Sequence, residues 1–339
     1  MRGLFATGPG QLAIMELPIP EPGPFQALLK TEACAICNST DTKLLHGQFF
    51  GGTWPVLLGH EVVGRVVKLG EGVTSYKLGD LVFRGNLQDN QVPYPGGRSC
   101  WGGFVEYNLV TDVWARDGLP AGSPPHPQQV IPPGIDPILA TALITLKENL
   151  SVITQFDVKG RMVAIIGTGP VAQSMTLFAK KVGARYIAVF GRREEWRSHL
   201  EALGADAYVV GEDWPRSVRE IVAKADGVST GGFERVLEAV GSRSALKRCV
   251  EVAGTRGQVC AYGVAPADEP YDPADLALPN VTVPNVTEAI AHDQMLAWVA
   301  SGEVHLQDWV DAVLPLDEYA RGFEMVWAKK ANKVVLTLA

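Results

Sequence analysis

Met162-Val163-Ala164-Ile165-Ile166 runs directly into Gly167-Thr168-Gly169-Pro170-Val171-Ala172, and from there into a helical pattern through Lys181. No other stretch restricts the fold as much. A strand that is apolar at every position is buried on both faces, as in a parallel sheet covered by helices. The same texture continues with strands at Tyr186–Phe190, Ala207–Val210, Arg235–Ala239 and Gly257–Tyr262, and with a helix from about Glu194 to Leu203. Alternation of this kind predicts a doubly wound α/β sheet. The glycine turn then acquires a chemical meaning. Gly167 permits the tight turn, and Gly169 lets a pyrophosphate approach backbone N–H groups at the helix N-terminus. Ala172 stands where the dinucleotide fingerprint has its third glycine. A purely structural glycine turn is the competing reading, and the strand before and helix after it speak against that.

The end of the second strand should read the adenosine ribose. An acidic residue there accepts the ribose hydroxyls and selects NAD. This chain has Gly191 followed by Arg192 and Arg193. Glycine leaves room, and paired guanidiniums suit a 2′-phosphate. The expectation is NADP in preference to NAD. The alternative is two solvated arginines at a helix start, an electrostatically unfavourable place for them.

The residues before Asp112 have a different texture: short strands divided by Gly and Pro turns, as in an all-β barrel or sandwich. Residues 119–137 carry seven prolines and predict an extended loop. Asp136 and Pro137 should then open a helix through Val152. Helices are expected at Asp293–Ser301 and Asp317–Lys329, and a closing strand, Val334–Leu338, should return to the first domain. Within the β region, Gly59-His60-Glu61 lies between two apolar runs, Pro55–Leu58 and Val62–Val67. Its imidazole comes within reach of the Cys37 thiol, and these are ligand types that zinc prefers.

Composition excludes other classes. The net charge of −7, without a basic cluster, argues against a nucleic-acid partner. No apolar run approaches the ~20 residues that span a bilayer, and the N-terminus lacks a secretory pattern. The five cysteines form no disulfide framework, so a cytoplasmic protein is expected. Cys34 and Cys37 make a Cys-x-x-Cys, but they follow a strand in a large chain, which disfavours a redox pair; Cys34 is expected in the core. Cys249 and Cys260 are expected to be buried hydrophobes.

These stretches, with Gly70-Glu71-Gly72-Val73, Gly79-Asp80-Leu81-Val82, Trp101 to Tyr107, Leu203 to Asp206 and Glu238-Ala239-Val240-Gly241, resemble the zinc-dependent medium-chain dehydrogenase/reductases of the alcohol, polyol and threonine dehydrogenase type. The resemblance covers nearly the whole chain. It implies a GroES-like β-barrel catalytic domain (1–153 and 288–339), a Rossmann domain (154–287), and an active site in the cleft between them.

The resemblance also implies a ligand set. Cys37 and His60 would hold a catalytic zinc. The second Cys of the alcohol dehydrogenases has no counterpart between Cys100 and Cys249; Glu148, in Glu148-Asn149-Leu150-Ser151-Val152, matches the Glu of the polyol branch. Water or Glu61 would complete the site. Asp41 would accept the second N–H of His60. Ser39 or Thr40 would relay the substrate proton, because Cys37–Asp41 is one residue longer than the family pattern. Val240 and Gly263 would border the nicotinamide, and Lys333 would approach the pyrophosphate unless it is an exposed surface lysine. Only Cys100 occupies the stretch where many relatives have a four-Cys structural zinc, so one zinc is expected. The implied reaction is hydride transfer between NADP(H) and a small secondary alcohol, polyol or sugar, in a homodimer or homotetramer. The alternatives are a zinc-free quinone or enoyl reductase of the same superfamily and a non-catalytic NADPH-binding protein. The loop His46-Gly47-Gln48-Phe49-Phe50 and the Pro-rich segment would shape the substrate pocket. Trp101 and Phe104 are expected to be packing residues.

Overall fold

A computed structural model describes residues 1–49, 52–211, 214–225 and 231–338. The chain divides into two compact units, Met1–Lys147 with Ala289–Ala339, and Glu148–Glu288. The expected division lay at 153/154 and 287/288; the observed change of unit falls inside the helix Pro137–Gln155 and at Glu288/Ala289.

The first unit is built on β-sheet. A seven-stranded sheet runs in the order Ala312–Pro315, Val334–Thr337, Gln26–Ala35, Glu61–Leu69, Leu81–Phe83, Val130–Ile131, with Tyr107–Thr111 also paired to Gln26–Ala35. A four-stranded sheet joins Gln11–Glu16, Arg2–Gly8, Val56–Leu57 and Arg98–Ser99. The closing strand does return here: Leu336 pairs with Cys34, which pairs on its other side with Val62. Inward residues of these strands and of the loops beside them, among them Cys34, Ile36, Val62, Phe104 and Leu336, form one apolar core. Cys34 is a core thiol, pushed well above its usual pKa by burial.

The Pro-rich segment departs from the expected irregular loop. Val130–Ile131 pairs antiparallel with Leu81 and Val82 and edges the seven-stranded sheet. The segment is tied down from outside: Tyr76 Oη donates to the Gln128 carbonyl at 2.8 Å, Trp114 Nε1 to that of Pro124 at 2.8 Å, and Gln128 Nε2 to that of Arg84 at 2.9 Å. Asp136 caps the following helix as expected, accepting from the amides of Ile138 and Leu139.

The second unit holds a six-stranded sheet in the order Ala207–Val210, Tyr186–Gly191, Met162–Ile166, Phe233–Glu238, Ala253–Ala261, Val281–Thr282. All its pairings are parallel, and the order reverses direction at Met162–Ile166, the doubly wound arrangement of a Rossmann fold. Every residue of Met162–Ile166 is buried. The predicted helix Glu194–Leu203 is split into a 3-10 turn, Glu194–Trp196, and an α-helix, Arg197–Ala202. Cys249 and Cys260 are buried, as expected; burial pushes the Cys260 thiol up to about 12. No helix among the described residues is long and apolar enough to cross a membrane.

Candidate metal centre and dinucleotide site

The metal-site residues lie on two neighbouring loops of the first unit. Cys37 follows the strand Gln26–Ala35 and precedes the short helix Thr40–Leu45; His60 and Glu61 stand where Glu61–Leu69 begins. Gly59 is required there. Its φ is +94°, and a Cβ would lie 2.6 Å from the Phe104 amide nitrogen. Only glycine lets the chain press against Phe104 and deliver His60.

Asp41 ties the two loops together. Fully buried, it accepts from the Cys37 amide at 2.8 Å and from the Gly59 amide at 3.3 Å, and its Oδ1 is 3.8 Å from His60 Nδ1. One ligand atom each from Cys37, His60 and Glu61 falls within 4.8 Å of the others. The Thr40 amide donates to Cys37 Sγ at 3.5 Å. His60 Nδ1 is buried without a hydrogen bond. Burial works against charge on the imidazole, but Cys37 and Asp41 outweigh it and raise its pKa well above the usual value. A thiol, an imidazole and a carboxylate so gathered fit zinc by donor chemistry.

Glu61 is already occupied. Its Oε1 accepts from Thr145 Oγ1 at 2.6 Å, and its Oε2 pairs with Lys333 Nζ, which also donates to Thr145 Oγ1 at 3.1 Å. Burial raises the Glu61 carboxyl, and the nearby charge of Lys333, then of His60, outweighs this and holds it below the usual carboxylate range. The structure thus places Lys333 otherwise than at an exposed surface or free to meet a pyrophosphate: it is buried, with its ammonium committed to the carboxylate beside His60.

The remaining expectations sort by position. Ser39 is exposed and accepts from Lys43 Nζ at 2.7 Å, while Thr40 is half-buried beside the Cys37 sulfur. Glu148 is half-buried on the helix Pro137–Gln155, one residue into the second unit; the group within ligand distance consists of Cys37, His60 and Glu61. Phe104 is fully buried, but Trp101 is 37% exposed with its ring centroid 5.3 Å from that of His60. Arg84 donates to the His60 carbonyl at 2.9 Å. Phe50 lies outside the described residues.

In the second unit the glycine turn forms as expected. Gly167 has a φ of +130°, and its amide bonds the Phe190 carbonyl at 2.9 Å. The helix Pro170–Lys181 begins at Gly169 with Pro170 in its first turn and no side-chain cap, and a Cβ on Gly169 would meet nothing within 4 Å. Uncapped amides beside open space fit a phosphate group; Val171 belongs to that same first turn. Gly191 is buried at the end of its strand, and Arg192 is exposed without an ion pair among the described residues. Arg193 pairs with Glu195 at 2.9 Å and covers the Trp196 ring.

Val240 is half exposed, and Gly263 packs against Gly241. What holds these two turns is Glu238, a fully buried carboxylate that the sequence reading passed over as part of a motif. It accepts from the amides of Val240 and Gly241, both at 2.9 Å, and Tyr271 Oη lies 2.5 Å from its Oε2 and 2.6 Å from the Gly263 carbonyl, the two acceptors within reach of the one phenol proton. The available signal was an acidic residue ending a strand directly after the apolar pair Val236-Leu237.

Comparison with known proteins agrees with this architecture. Residues 23–117 match the family model of the alcohol dehydrogenase GroES-like domain, and residues 170–298 that of the zinc-binding dehydrogenases. The L-threonine 3-dehydrogenase of Caldanaerobacter subterraneus subsp. tengcongensis is 27% identical over 353 residues, covering 95% of this chain and 94% of that protein. That of Xanthomonas campestris pv. campestris strain B100 is 28% identical over 346 residues, covering 95% of each. Among solved structures, alcohol dehydrogenase TADH from Thermus sp. ATN1 matches with a TM-score of 0.78 at 27% identity over 99% of both chains. A candidate zinc-binding dehydrogenase from Sinorhizobium meliloti 1021, bound to NADP, matches with a TM-score of 0.75 at 27% identity over 99% of this chain and 98% of that one. The chain belongs to the zinc-dependent medium-chain dehydrogenase/reductases, oxidoreductases that act on CH–OH groups with a nicotinamide cofactor.

Proposed function

We propose that the protein transfers hydride reversibly between NADP(H) and a small secondary alcohol, polyol or sugar, using one zinc per chain. The observation that carries the reading is the convergence of Cys37, His60 and Glu61 on loops locked by Asp41. Bound zinc supplies Lewis-acid polarisation of the substrate oxygen, and the nicotinamide supplies the hydride acceptor or donor. Cys37 and His60 hold the metal. Glu61, whose oxygens already accept from Thr145 and Lys333, serves as its neighbour. Asp41 fixes the loop geometry on which the ligands depend. Thr40 relays the substrate proton, its hydroxyl accepting one while passing its own on to solvent, in preference to Ser39, which is exposed and engaged by Lys43. Cys100 is the one thiol in residues 84–101, which supports a single zinc.

The first turn of Pro170–Lys181, with Gly167, Gly169 and Val171, would hold the phosphates, and Arg192 would meet the 2′-phosphate. Glu238 keeps Val240 and Gly263 in place at the nicotinamide end. A homo-oligomer and a cytoplasmic location accompany this reading. The curated relatives make L-threonine one secondary alcohol to include in a substrate panel. Zinc analysis of the purified protein, followed by NADP reduction or NADPH oxidation across β-hydroxy acids, polyols, ketoses and ketones, tests the proposal. One zinc per chain and turnover on a member of the panel are expected. Absence of zinc, or inactivity of zinc-loaded protein throughout, refutes it.

A further inference from the structure

The strand Tyr186–Gly191 lies beside Ala207–Val210 in parallel register, with Val189 opposite Tyr208 and Gly191 opposite Val210. Tyr208 is buried, and its hydroxyl donates to the Arg193 carbonyl at 2.7 Å. The same hydroxyl fills the space beside Gly191: a Cβ at position 191 would overlap it and would stand 2.5 Å from Thr168 Cγ2. Two consequences follow. The position from which a carboxylate would read the ribose of NAD is closed to any side chain while Tyr208 and Thr168 keep their places. The backbone of the arginine turn is also anchored from the neighbouring strand, and Arg193 is engaged by Glu195 and Trp196, so Arg192 is the guanidinium left for a ligand.

We infer that Tyr208 is a specificity-determining residue for the dinucleotide, excluding a side chain at position 191 and positioning the Arg192 turn for a 2′-phosphate. It acts through Gly191 and Arg193 and is a positioning residue. The inference rests on the NADP reading above and adds to it the cause of the preference.

Dissociation constants for NADPH and NADH, measured by nucleotide-fluorescence titration of the zinc-containing protein, test it. Tyr208→Phe keeps the ring and removes the hydrogen bond, so the NADPH constant should rise roughly fivefold with that for NADH unchanged. Gly191→Asp alone should bind neither nucleotide tightly, and adding Tyr208→Ala and Thr168→Ser should make room for the carboxylate and recover NADH binding. A Tyr208→Phe protein with an unaltered NADPH/NADH ratio overturns the positioning role. Tight NADH binding by Gly191→Asp alone, or none recovered by the triple variant, overturns the steric role. If the wild-type protein binds NADH as tightly as NADPH, the NADP reading itself fails, and the inference with it; that result is read before any variant is made.

Discussion

Replacing Lys333 by Met isolates the ion pair beside the metal site. The Glu61 and Lys333 side chains are 3% and 8% exposed, so the substitution leaves a carboxylate in a dry environment with Thr145 as its remaining neutral donor. Breaking a buried pair from one side costs about 3–5 kcal/mol, and proton uptake by the stranded carboxyl trims this, so a loss of about 3 kcal/mol is expected near neutral pH. The pH dependence has a definite sign. With Lys333 present, the folded carboxyl ionises below its unfolded value of about 4.3, so the pair stabilises above that value and the gain disappears as pH falls through the folded pKa. Without Lys333, the His60 charge and the Thr145 hydroxyl are left against the burial that raises this carboxyl, so its folded value rises relative to wild type and the variant gains less stability as pH rises above about 4.3. The gap between the two proteins should therefore shrink as pH falls below about 4 and widen toward neutrality. Urea unfolding followed by tryptophan fluorescence suits the measurement, because Trp54, Trp101, Trp114, Trp298, Trp309 and Trp327 all lie in the first unit. Chelator should be present, so that no metal ion contributes. Glu61→Gln added to Lys333→Met should recover most of the loss. A gap that stays constant with pH, or a loss below about 1 kcal/mol, refutes the argument from burial.

Three further outcomes are expected. Asp41→Asn, which weakens the bracing of both ligand loops, should reduce zinc affinity by about 10- to 100-fold in a chelator competition; unchanged affinity would remove Asp41 from its assigned role. Thr40→Val should lower kcat and distort its pH profile while Ser39→Ala leaves both near wild type, and the opposite pattern would move the proton relay to Ser39. Asp112 accepts from the amides of Thr74 and Ser75 at 2.9 and 2.8 Å and caps the helix Val113–Asp117 through Ala115 at 3.0 Å. Asp112→Ala should cost about 3 kcal/mol in urea unfolding at neutral pH. Burial raises the Asp112 carboxyl but these amides more than offset it and lower its pKa, so the difference should shrink below about pH 4 as the wild-type carboxylate is protonated.

Those parts of the fold governed by local pattern were legible in the sequence. Met162–Ile166 reads as a doubly covered strand because all five side chains are apolar, and Asp136 reads as a cap because it directly precedes a helix-starting proline. Cys37, His60 and Glu61 were legible as a group because short loops between apolar strands leave little freedom in where they point. Lys333 was not, since its partner carboxylate comes from the opposite end of the chain and nothing local announces a buried ammonium. Val130–Ile131 escaped for a similar reason: proline density removes amides, but partners on Tyr76, Arg84 and Leu81 restore an ordered edge. Tyr208 and Glu238 looked like ordinary strand residues until neighbouring strands were placed beside them.

The closing strand Val334–Thr337 sits inside its sheet, between Ala312–Pro315 and Gln26–Ala35. During synthesis, Cys37 and His60 therefore leave the ribosome long before the strand that completes the sheet around them. At about 5–20 residues per second this delay is on the order of tens of seconds. The second unit, contiguous in sequence, has all its strands in hand earlier. The unit that carries Cys37 and His60 begins first and is completed last, and the lysine that neutralises Glu61 arrives with the strand Val334–Thr337.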